Sequence, residues 1–130
     1  MIRIDQIDSQ QKLLECLSAD QALVFVYFSW SGQSQASLQM FEKLPDVFLG
    51  RPSRMAPRDY RVDPDQEGGL FLQLFGTDPQ HPMLTDCSDG PVLWISQGRI
   101  IDYARYAGQL GLEGLLLKTE KAFNGPELRK

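Results

Sequence analysis

Ala22-Leu-Val-Phe-Val-Tyr-Phe28, followed at once by Trp30-Ser31-Gly32-Gln33-Ser34, decides how the rest of this chain is read. The first stretch is rich in β-branched and aromatic residues without polar alternation, as a strand buried on both faces should be. The second opens an amphipathic helix in which Leu38, Phe41 and Leu44 recur at three-residue steps, until Pro45 ends or bends it. A buried strand that feeds directly into a helix points to an α/β domain.

Working outward, residues 1–5 suit a short edge strand, and Leu13, Leu14, Cys16 and Leu17 place a first amphipathic helix over about 9–17. Pro45 to Pro57 reads as a connection with room for one helical turn. Asp59-Tyr-Arg-Val62 is a third strand. Asp63-Pro64 then offers an acidic N-cap with proline at the first helical position. That helix should run through Leu70, Leu74 and Phe75 to Gly76 as its C′ residue, weakened by Gly68-Gly69 inside it. Thr77–Asp89 is a long loop. Pro91–Ser96, Gln97-Gly98 and Arg99–Ala104 form strand, turn and strand, an antiparallel hairpin. A last helix covers about 112–123 with Leu115, Leu116 and Phe123 inward, and Gly125-Pro126 ends it. The order βαβαβαββα gives one α/β domain over 1–130, a mixed β-sheet flanked by helices.

Composition narrows the function. The 130 residues, 42% hydrophobic and 23% charged, are ordinary for a globular protein and enough for a core without staples. A net charge of -4 with no basic stripe argues against nucleic-acid binding. Lys118, Lys121, Arg129 and Lys130 read as helix-end charges and a tail. The longest apolar run is far too short to span a bilayer, and Met1-Ile-Arg-Ile-Asp-Gln lacks the pattern of a signal peptide, so a cytoplasmic protein is expected. Cys16 and Cys87 have the spacing of neither a metal cluster nor a redox pair, and no metal or cofactor is expected. A disulfide between them stays open, though a reducing compartment disfavours it.

The layout resembles the thioredoxin-like superfamily over about residues 10–124. Trp30-Ser31-Gly32-Gln33-Ser34 matches that family's Trp-Cys-Gly-X-Cys pentapeptide with serine at both cysteine positions. Val62-Asp63-Pro64 resembles its third-strand exit, Phe75-Gly76 the end of the next helix, Gly98 its hairpin glycine and Gly108 the glycine after the last strand. Gly90-Pro91 falls where the family carries a cis-proline facing the active site. The resemblance implies a thioredoxin-like fold and, in the same stroke, removes its chemistry. A thiolate ionises near neutral pH and attacks sulfur, whereas a serine hydroxyl needs a strong base beside it. Phe25 also stands where the family usually keeps a buried Asp or Glu for proton transfer.

Ser31 is then most simply the N-cap of the second helix. A serine-hydrolase role would need a base, and the only histidine, His81, reads as a solvated loop residue. Cys87 is the remaining chemical candidate, near the presumed cis-proline but flanked by Asp86 and Asp89, which would raise its pKa. Trp30 reads either as local packing or as an exposed anchor for a partner; Cys16 and Trp94 read as core. What survives is recognition. Thioredoxins hold clients partly through the backbone beside the cis-proline, which needs no thiol. The expectation is a redox-inactive binding, chaperone or assembly-factor module. It would take a protein or extended peptide through Trp30, Ser31, Gly32, Gln33, Gly90 and Pro91. The rival is a thiol–disulfide oxidoreductase, either using Cys87 or a serine-substituted form of a Cys-Gly-Gln-Cys enzyme.

Overall fold

Leu23 and Phe25 face one side of the sheet and Val24 and Val26 the other, and all four are fully buried. This is why the run shows no polar alternation: the strand is covered on both faces. The computed structural model describes residues 4–28, 31–43, 57–76, 81 and 90–128. Its elements are β1 (Asp5–Gln6), α1 (Gln10–Ser18), β2 (Ala22–Val26), α2 (Gly32–Phe41), β3 (Arg58–Val62), α3 (Gly68–Gln73), β4 (Val92–Ser96), β5 (Arg99–Ala104) and α4 (Ala107–Leu128). Among the described residues the order is the expected βαβαβαββα.

The strands lie β1-β3-β2-β4-β5 in one mixed sheet. β1, β3 and β2 run parallel, while β4 is antiparallel to β2 and β5 to β4. α1 and α3 cover one face through Leu13, Cys16, Phe71, Leu74 and Phe75. α2 and α4 cover the other through Leu38, Phe41, Leu115 and Leu116. Trp94 is core as expected, and its indole N–H donates to Thr119 Oγ1 at 2.8 Å, which donates in turn to the Leu115 carbonyl at 2.7 Å. The β4–β5 turn places Gln97 at φ 51° and Gly98 at φ 81°. Two left-handed residues in a two-residue loop match the twist of the flanking strands.

Three local readings are corrected. Asp63-Pro64 does not start a helix: Asp63 Oδ1 accepts from Asp65 N–H at 2.9 Å and the Asp63 carbonyl from Glu67 N–H at 2.7 Å. The aspartate thus closes a turn, and α3 begins only at Gly68. Gly76 does not adopt the left-handed C′ conformation; its N–H simply returns to the Gln73 carbonyl at 3.2 Å. The last helix reaches past Gly125-Pro126 to Leu128, and its early break is at Gly111 (φ 74°, ψ 169°). The missing proline N–H matters little in a final turn, whereas a left-handed glycine interrupts the ladder.

Pairing registers set one row of side chains across the α2/α4 face: Ile4, Asp59, Leu23, Trp94 and Asp102. Asp102 meets the Lys118 ammonium at 3.1 Å. Asp59 is 5% exposed and its Oδ1 has no hydrogen-bond partner. Burial alone pushes its carboxyl from 3.8 up to about 7. The folded chain therefore keeps a proton that the unfolded chain has lost throughout that window. The associated stability is complete below about pH 4, declines as pH rises, and is gone above about pH 7. Urea denaturation between pH 5 and pH 8 should show the wild type losing up to about 3 kcal/mol relative to Asp59→Asn. Parallel pH profiles for the two proteins would contradict this account.

Candidate functional site

The chain leaves β2 through two backbone bonds that fix the entry to α2. Val26 N–H donates to the Pro91 carbonyl and Tyr27 N–H to the Val62 carbonyl, each at 2.9 Å. Ser31, extended at φ -97° and ψ 119°, is the N-cap of α2, as the sequence suggests. Its Oγ accepts from Ser34 N–H at 3.1 Å. Ser34 is fully buried and its Oγ accepts from Phe28 N–H at 2.9 Å. One turn on, the buried Ser37 Oγ accepts from Gly108 N–H at 3.0 Å. Residues three apart share a helix face, so the three serines form a polar seam along α2, each tied to a main-chain donor.

Gly90 packs against this seam. A Cβ on Gly90 would lie 2.7 Å from Ser37 Cβ and 3.2 Å from Ser34 Cα. The structure therefore brings Gly90 against Ser34 and Ser37, with Ser31 bonded to Ser34 and Pro91 next to Gly90 in the chain. Gly32 lies in the exposed first turn of α2, with nothing within 4 Å of where a Cβ would stand. Gln33 contributes its backbone to the same turn. Trp30 and Cys87 lie outside the described residues. The expected cis bond at Pro91 is absent: no peptide bond among the described residues is cis. The physical reason is Gly90 itself, whose φ of +82° turns the chain against α2 with a trans peptide.

The arrangement anchors backbone and offers no acid–base partner among the described residues. Phe25, where an acid was in question, is buried and stacked on Phe41 with ring centroids 5.4 Å apart. His81 is not a solvated loop residue. It is 6% exposed, with its ring 5.2 Å from Phe75 and 4.5 Å from Tyr103. Phe75 belongs to the core on the α1/α3 face, whereas Ser31 opens a helix of the other face. Cys16 carries a free thiol in the core, which burial pushes up to about 12. Among the described residues no group of three His, Cys, Asp or Glu could hold a metal, and no helix is long and apolar enough to cross a membrane.

Sequence reading missed Ser37 and the seam. The signal was present as Ser31-x-x-Ser34-x-x-Ser37, polar residues in step with the apolar face that carries Leu38 and Phe41.

No protein-family model matches the sequence, and no curated protein matches it. Solved structures do. The thioredoxin of Malassezia sympodialis superposes with a TM-score of 0.66 at 16% identity, over 95% of this chain and 93% of that one. Oxidised thioredoxin from Plasmodium falciparum gives 0.64 at 15% identity, over 88% and 96%. The zinc-bound form of human ERp44 gives 0.66 at 22% identity, over 91% of this chain but only 30% of that longer protein. The chain has the thioredoxin fold.

Ser34→Ala leaves the Phe28 N–H without its acceptor in a buried position and should cost about 1–3 kcal/mol by urea denaturation. Gly90→Ala should cost more, since it adds left-handed strain to the clash with Ser37. Combined with Ser37→Gly, which itself loses the Gly108 bond, the pair should be less destabilised than the sum of the two single changes, because the Cβ that the new methyl meets is gone. Simple additivity of the two changes would contradict the contact.

Proposed function

We propose that this thioredoxin-fold domain is a redox-inactive binding module that holds an extended protein segment where the start of α2 meets Gly90-Pro91. The single observation that carries the reading is the use made of the two positions where thioredoxins bear thiols. Ser31 caps α2 and Ser34 receives the Phe28 N–H. Neither position supplies a redox sulfur, and Phe25 fills the space beneath with an aromatic stack in place of a proton-transferring acid.

Recognition on this reading is carried by main chain and by Trp30. An extended segment lying beside Gly90 would gain backbone hydrogen bonds, which give affinity without selecting a side chain. Trp30 would supply apolar contact area, and Gly32 leaves open space at the helix start into which a client can pack. A folding helper or assembly factor needs this combination: broad, reversible grip and no covalent step. With Pro91 trans and Gly90 buried against α2, the cis-proline support for this grip is lost, and the reading rests on what Ser31, Ser34 and Phe25 do in the fold.

Two measurements test the reading. The protein should leave the reduction of insulin by dithiothreitol at its background rate, and thioredoxin-like turnover would overturn the proposal. Against an immobilised library of unstructured peptides, Cys87→Ser should bind as the wild type does. Trp30→Ala should weaken binding by about thirtyfold, equivalent to about 2 kcal/mol. Capture lost with Cys87→Ser and retained with Trp30→Ala, trapped as a mixed disulfide on non-reducing gels, would establish the thiol mechanism instead.

A further inference from the structure

Asp59 is a buried carboxyl at the second residue of β3, between Ile4 of the β1 end and Leu23 of β2, and its Oδ1 has no partner. Among the described residues no cation is committed to it. On its own strand and face, Arg61 lies two residues on, with its guanidinium 6.0 Å from the Tyr27 ring centre. β2 and β4 present Leu23, Phe25 and Trp94. α2 presents Ser34, Ser37, Leu38 and Phe41, and its flanking Glu42 and Lys43 are exposed. α4 presents Leu115, Leu116 and Thr119, and Lys118 is held by Asp102. On the opposite face Lys12 lies 3.8 Å from Asp5 and Arg58 3.8 Å from Glu15.

A carboxylate placed there without a cation has to be hydrated, because burying an unpaired charge costs far more than burying the acid. Among the described elements flanking Asp59, the less buried side is that of β1. On the β2 side, the neighbouring strand is buried along its whole length. On the other side stands β1, a two-residue edge strand whose Asp5 and Gln6 are only partly buried. Next to it, Ile7 N–H donates to the Arg61 carbonyl at 2.8 Å. Short edge pairings are the least costly parts of a sheet to open.

We propose that ionisation of Asp59 releases β1 from β3, so that this edge of the sheet is closed when Asp59 holds its proton and open when it does not. No covalent step is involved; one proton leaves the carboxyl to solvent and the Ile7 N–H exchanges its carbonyl partner for water. The raised carboxyl pKa places the change near neutral pH.

The test is backbone amide exchange by NMR between pH 6 and pH 8.5, alongside titration of the Asp59 side-chain carboxyl carbon. Exchange at Gln6 and Ile7 should rise with pH beyond the base-catalysed increase seen at Val24 and Trp94. The excess should rise about tenfold for each pH unit below the carboxyl midpoint and level off above it, as release of a single proton requires. Asp59→Asn should abolish the excess. In the wild type alone, chemical shifts of Gln6 and Ile7 should follow the carboxyl with the same midpoint, so the proposal stays testable if the variant does not fold. A carboxyl that titrates near 4 would overturn it. So would a carboxyl that titrates near 7 while the β1 amides stand still, the result expected if Arg61 turns to neutralise it.

Discussion

The approach of Gly90 to α2 is the contact on which the rest of this structure depends. With any side chain at that position, a carbon would stand 2.7 Å from Ser37 Cβ, and the helix could not lie where it does. Because Gly90 turns at φ +82°, β4 starts antiparallel to β2 directly behind it, and the Pro91 carbonyl meets Val26 N–H. The same Ser37 holds Gly108 at the head of α4, where a Cβ would come within 2.9 Å of its Oγ. One face of one helix thus sets where β2 ends, where β4 begins and where α4 starts. Small residues are required at each point because main chain approaches side chain directly.

That economy explains why serine suits positions 31 and 34. A hydroxyl oxygen is a good acceptor for a backbone N–H, and sulfur a poor one. With serine, one bond caps the first turn of α2 at 3.1 Å and a second, at 2.9 Å, ties that turn to the chain leaving β2. A cysteine there would trade anchoring for nucleophilicity. The stack of Phe25 on Phe41 follows the same logic: dispersion and burial fill a place where a carboxyl would have to be hydrated or paired. What supports a binding role is the coherence of these choices. Ser31, Ser34 and Phe25 each make a contact within the fold.

Much of the fold was legible because burial leaves its period in the sequence. β2 is apolar throughout, and β4 up to Ser96, since both faces are covered, and Gln97-Gly98 marks a hairpin whose left-handed residues the turn demands. Ser31 was legible as a cap for a local reason, the fit of a hydroxyl to the next turn's N–H. Failures came where a local signal serves two structures or where distant residues decide. Asp63-Pro64 suits a turn as well as a helix start, and the Asp63 carboxylate reaching Asp65 N–H settled it for the turn. Gly90-Pro91 signals a reversal, but the glycine dihedral and the proline isomer are alternative ways to make one. His81 sits in a polar, proline-rich stretch, and its burial involves Phe75 and Tyr103, which arrive from elsewhere in the chain.

Asp59 was illegible for a deeper reason. In Asp59-Tyr-Arg-Val62 the acid looks like the solvent-facing member of an alternating strand. It is buried because the sheet continues past it to β1 and because Leu23 and Trp94 complete an apolar row under α2 and α4. Asp102, at the other end of that row, has the same chemistry and a different fate: Lys118 reaches it across the Trp94 ring, and the pair stays partly solvated. The two carboxyls in one row therefore differ in burial and in whether, among the described residues, a cation reaches them. Charge at Asp102 is met by Lys118, while no cation among the described residues meets charge at Asp59. From Leu23, the neighbour of Asp59, to Val26 at the exit towards Ser31 is about 10 Å along β2. The titrating end of the sheet and the proposed binding end are thus separated by a length of buried strand, so the proposed opening acts on the edge beside Asp59 and leaves the serine seam in place.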